Sequence, residues 1–68
     1  MIRFYTLDGG QVFINMGSVK VMWITERDGF WEIDISWDDG DTADLYTCDK
    51  ENADSIRNQL INYNQTPD

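Results

Sequence analysis

The chain contains no histidine, one cysteine (Cys48), one proline (Pro67) and five basic residues against 13 acids. Each shortage closes off a class of chemistry. Without histidine there is no Ser-His-Asp triad, no Cys-His nucleophile and no zinc site with the usual ligands. A lone cysteine cannot build a disulfide framework, so Cys48 reads as a small buried residue in a reducing compartment. The N-terminus, Met1-Ile2-Arg3-Phe4-Tyr5, lacks the apolar core of a secretory signal, and no apolar run reaches membrane-spanning length. The expectation is a cytoplasmic protein with no membrane partner, for which the sequon Asn64-Gln65-Thr66 is incidental. There is no glycine-rich phosphate loop. The few bases are scattered, so no direct nucleic-acid binding is expected.

What the chain does have is acid. Its net charge is −8, and residues 26–54 alone hold eleven acids and two bases, a net of −9. Such a field repels nucleic acid and anionic membranes and attracts basic partners. The same acidity also serves solubility.

Asp8-Gly9, Asp28-Gly29 and Asp39-Gly40 each lie between runs rich in β-branched and aromatic residues, the pattern of a β-hairpin. Period-two alternation predicts strands at 2–6, 11–15, 19–26, 30–37 and 41–47. Three-residue loops, with Gly9, Gly29 and Gly40 at positive φ, bring apolar partners together. Leu7-Asp8-Gly9 pairs Phe4 with Val12 and Ile2 with Ile14. Arg27-Asp28-Gly29 pairs Trp23 with Ile33 and Val21 with Ile35, whereas a two-residue loop would set Trp23 against Asp34. Asp38-Asp39-Gly40 pairs Ile35 with Ala43 and Ile33 with Leu45. A short link at 15–18 allows Ile14 opposite Val19. The predicted fold is α+β: a strongly twisted five-stranded antiparallel meander, order 1-2-3-4-5, with one C-terminal helix on its inner face. Asp49 caps that helix, and Ala53, Ile56, Leu60 and Tyr63 form its apolar stripe with Ile61 alongside. Residues 1–63 form a single domain and 64–68 a flexible tail.

These registers place Val19, Val21, Trp23, Trp31, Ile33, Ile35, Trp37, Ala43 and Leu45 inside. Outside they set Met22, Asp34 and Asp44 in one row and Ile24, Glu32 and Tyr46 in the next, with Phe30 at one end. The expected partner-binding surface is therefore Met22, Ile24, Phe30, Glu32, Asp34, Asp44 and Tyr46, with Asp38, Asp39 and Asp41 in the adjoining loop. Scattered apolar residues on a solvated face are also ordinary. The carboxylates of 38–44 lack the spacing of a helix-loop-helix calcium site, so no metal or other cofactor is expected. Asp34 and Asp44 could in principle run acid-base hydrolysis, but a flat sheet face offers no pocket, and no enzyme activity is expected. Acidic rows oppose face-to-face self-association, leaving a monomer or a homodimer paired through the edge strands 2–6 or 41–47.

Two resemblances bear on function. Met1-Ile2, Leu7-Asp8-Gly9, Ile14-Asn15 and the later Asp39-Gly40 before a final strand and helix resemble the outline of short flagellar-associated proteins of the FlbD/SwrD type, which implies a bacterial accessory role. In kind, the small acidic α+β chain resembles phage-encoded inhibitors such as anti-CRISPR proteins and DNA mimics. That likeness implies Glu32, Asp34, Asp38, Asp39, Asp41 and Asp44 standing where phosphates would lie in a basic groove. The expected function is a small acidic binding module that docks on a basic protein surface.

Overall fold

A computed structural model describes residues 1–64, so the tail expected over 64–68 lies, from residue 65, outside the described residues. The chain is α+β: β1 (Ile2–Tyr5), β2 (Gln11–Ile14), a 3-10 turn (Met16–Ser18), β3 (Val19–Glu26), β4 (Trp31–Trp37), β5 (Ala43–Cys48) and α1 (Lys50–Asn64). The strands form two antiparallel sheets, β1-β2 and β3-β4-β5, rather than one five-stranded meander.

The break falls at residues 15–18. The Asn15 side chain accepts the Gly17 N–H at 3.0 Å and its carbonyl accepts the Ser18 N–H at 2.9 Å. This winds the link into a 3-10 turn, after which the Ser18 carbonyl takes the Asp38 N–H at 2.8 Å. Val19 therefore leaves toward β4, and the expected Ile14–Val19 pairing does not form.

The first hairpin has the expected register, Ile2 opposite Ile14 and Phe4 opposite Val12. Gly9 N–H donates to the Thr6 carbonyl and Thr6 N–H to the Gly10 carbonyl, the bonding of a three-residue loop with Gly9 at φ +89°. The other two registers are each displaced by one residue. Arg27 N–H donates to the Phe30 carbonyl at 2.8 Å, so Asp28-Gly29 is a two-residue loop and Trp23 sits opposite Asp34. Trp37 N–H reaches the Thr42 carbonyl at 3.0 Å, making residues 38–41 a four-residue loop. Ile35 then faces Asp44, and Ile33 faces Tyr46. Gly29 and Gly40 do carry positive φ, +88° and +86°.

A one-residue slip turns a strand over. β4 keeps its expected faces, with Ile33 and Ile35 fully buried, but β3 and β5 are reversed about it. A β-bulge between Val19 and Val21 still lets Val19 pack inward. One core joins both sheets and the helix: Ile2, Phe4 and Ile14 from the first hairpin, Ile33, Ile35 and Cys48 from the second sheet, Ala53 and Ile56 from α1. The hairpin thus supplies cover that one helix is too narrow to give. Phe4 meets Tyr46 edge-on, ring centres 5.8 Å apart, and Leu7 N–H bonds the Thr47 carbonyl at 3.0 Å.

Asp49 caps α1 as expected, its carboxylate accepting the Asn52 N–H at 2.9 Å. Of the expected helical stripe, Ala53 and Ile56 are buried and Leu60 is half-buried, while Ile61 and Tyr63 are exposed. Two helix amides, unforeseen in the sequence, close the free edge of β1. Gln59 accepts the Arg3 N–H at 2.9 Å and donates to the Arg3 carbonyl at 2.8 Å, and Asn52 accepts the Tyr5 N–H at 2.9 Å.

Candidate functional site

The face of β3-β4-β5 turned away from the helix is the candidate site. Its middle row is Trp23, Asp34 and Leu45 across the three strands. Val21, Ser36 and Ala43 form the row on one side, Thr25, Glu32 and Thr47 the row on the other. Trp23 is 63% exposed, Leu45 59% and Val21 38%, so a tryptophan and two aliphatic side chains surround a free carboxylate in open solvent. Glu32 is half-buried and pairs with Arg27 at 3.1 Å, which leaves Asp34 as the uncompensated charge at the centre. Among the described residues Asp34 has no hydrogen-bond or ion-pair partner.

This composition differs from the one expected. Asp34 and Glu32 lie on the outer face as read from the sequence. Met22, Ile24 and Tyr46 do not: all three are half-buried and pack against the core. Burial, followed by the nearby Asp44 charge, raises the Tyr46 phenol above its ordinary pKa. Asp44 also lies on the inner side, at the rim, where it accepts the Trp37 indole N–H at 2.7 Å. Phe30 is half-buried beside the second turn. The residues that replace them outside, Val21, Trp23, Ala43 and Leu45, were all expected in the core.

Asp38, Asp39 and Asp41 occupy the exposed loop at one end of the sheet. Asp39 is committed to the loop itself, accepting the Asp41 and Thr42 N–H groups at 3.0 Å each and the Thr42 hydroxyl. The hydroxyl first, then the two amides, hold this carboxyl below the usual range. Asp8 is lowered in the same way by the Thr6 hydroxyl and the Gly10 amide, and Asp49 by the Asn52 backbone and side chain. These three carboxylates are turn and cap residues. Among the described residues no group of three metal-ligating side chains is placed to hold an ion. Cys48 is buried, and burial with the neighbouring Asp49 charge pushes its thiol up, away from the reactive thiolate.

Shallow hollows border this face, one touching Leu45 and Thr47 and another Asp38 and Asp39, and others lie away from it. One of 490 Å³ runs between β1 and α1 and is lined by Arg3, Tyr5, Gln11, Asn52, Ser55 and Gln59, with Phe4 at its floor. Its Asn52 and Gln59 amides are those that bond the β1 edge. No helix among the described residues is long and apolar enough to cross a membrane. Comparison with protein-family models, with curated proteins and with solved structures gives no match for this chain.

Proposed function

We propose that the chain is a non-enzymatic protein-binding module that docks the outer face of β3-β4-β5 onto a basic partner surface. The observation that carries this reading is the exposed Trp23–Asp34–Leu45 row within a chain of net charge −8. Exposed tryptophan is the side chain most enriched among residues that dominate binding energy, because it buries a large rigid area on contact. A carboxylate between two apolar side chains suits a partner presenting Lys or Arg beside an apolar side chain. The wider acidic field, with Glu26 and Asp28 at one end of the sheet and Asp38, Asp39 and Asp41 at the other, raises the encounter rate with such a surface. Trp23 and Leu45 then set how long the complex lasts.

The narrower reading, an inhibitor that fills a nucleic-acid groove with carboxylates alone, predicts steep weakening with salt. The apolar pair favours a mixed contact with a shallower dependence. Capture from cell lysate by the wild type, Trp23→Ala and Asp34→Lys, at low and high salt, tests both. The expected result is a loss of retained partner of about ten-fold or more for Trp23→Ala, and a flattened salt dependence for Asp34→Lys. Amide exchange on the captured complex should protect residues 21–25 and 43–47. Undiminished capture by both variants would contradict the proposal.

A further inference from the structure

The splitting of the strands into two sheets gives β3 an unpaired edge. In an antiparallel pair, hydrogen-bonded and non-hydrogen-bonded positions alternate. Counted from the Arg27–Phe30 bond, Val21, Trp23 and Thr25 bond to β4, and Met22, Ile24 and Glu26 turn their backbone groups outward. The same count on the first hairpin turns Arg3 and Tyr5 outward, where Gln59 and Asn52 meet them. On β5 it turns Thr47 outward, where Leu7 meets it. No such cover reaches β3 among the described residues. This edge is eight residues long, and its only charges are Lys20 and Glu26, neither of which has an ion-pair partner among the described residues.

We infer that β3 pairs antiparallel with β3 of a second copy of the chain, joining two three-stranded sheets into one of six strands. The pairing is centred on Trp23. Met22 and the partner's Ile24 exchange two backbone hydrogen bonds, and the symmetric pair exchanges two more. Trp23 then faces the partner's Trp23 at the closer, non-bonded position, where aromatic pairs stabilise a sheet. Val21 lies opposite the partner's Thr25. At both ends Lys20, the extra residue of the bulge, comes level with the partner's Glu26, so the two unpaired charges satisfy each other. Sliding the register by two residues sets Lys20 against the partner's Ile24 in one direction, or Glu26 against the partner's Met22 in the other. The β5 edge offers no equivalent, because the same operation would bring Asp44 against the partner's Asp44 and Leu7 already occupies one end. Among the sheet edges, β3 is the one at which two strongly acidic chains can approach with opposite charges aligned.

Sedimentation equilibrium on the whole chain tests this, with circular dichroism to show that each variant folds. The wild type should dimerise with rising concentration. Lys20→Glu and Glu26→Lys each put like charges together at both ends and should weaken the dimer about ten-fold. The double variant Lys20→Glu/Glu26→Lys, which restores opposite charges with the ends exchanged, should recover it. A wild type that stays monomeric to about 1 mM, or a double variant no tighter than the single ones, would overturn the inference. None of these substitutions touches Trp23, Asp34 or Leu45, so loss of the dimer leaves the docking proposal separately testable.

Discussion

At the scale of single residues, three glycines and three aspartates carry much of the local structure. Gly40 sits at φ +86° with open space where a Cβ would go, so its difficulty with a side chain is conformational, not steric crowding. Gly40→Ala should lower stability by about 1–2 kcal/mol, the cost of holding an L-residue in the left-handed region, as read by urea denaturation. Asp8, Asp39 and Asp49 have carboxyls held below the ordinary value of 3.8 in the fold. Their contribution is complete above that value and is lost as pH falls through their lowered folded values. The stability gap between the wild type and Asp39→Asn should therefore be present at neutral pH and narrow below about pH 3.8. These roles were legible in the sequence wherever a residue acts on its near neighbours, as Gly9, Gly29, Gly40 and Asp49 do. The place of Trp23 was not, because a tryptophan between Met22 and Ile24 fits either side of a strand.

At the scale of elements, legibility depended on whether a strand has one apolar face or two. β4 alternates cleanly, with Ile33 and Ile35 against Glu32 and Asp34, and its faces were read correctly. β3 offers Val21 and Trp23 on one face and Met22 and Ile24 on the other, so its pattern cannot choose a register. β5 is equally divided, with Ala43 and Leu45 against Tyr46 and Cys48. In both strands loop length decides, and the Asp39 bonds to Asp41 and Thr42 help hold the four-residue loop. The β1 edge went unread because its cover comes from Asn52 and Gln59, seven residues apart along the helix and about fifty from the strand they serve. Gln59→Leu leaves the exposed Arg3 N–H and carbonyl to water and should destabilise the chain by about 0.5–1.5 kcal/mol, measured by denaturant unfolding. Ile33→Ala, at a fully buried position, should cost about 2–5 kcal/mol. Trp23→Ala should change stability far less, although it removes the larger side chain.

At the scale of the whole molecule, a core shared by two small sheets and one helix has to hold against the self-repulsion of a net charge of −8. Added salt screens that repulsion and should raise the melting temperature while it weakens any partner held by charge alone. In the docking proposal the acidic surface and the exposed apolar row are therefore separable contributions, the first governing approach and the second adhesion. Both the docking proposal and the β3 pairing depend on the outer face carrying Trp23, while Trp31 and Trp37 stay half-buried against the core. Acrylamide quenching of tryptophan emission in dilute solution, with Trp23→Phe, Trp31→Phe and Trp37→Phe compared against the wild type, tests that arrangement. Trp23→Phe should remove the most readily quenched and reddest component and leave a bluer, better protected emission. If it leaves quenching unchanged, and the accessible component disappears instead with Trp31→Phe or Trp37→Phe, Trp23 faces inward and the account of this surface is wrong.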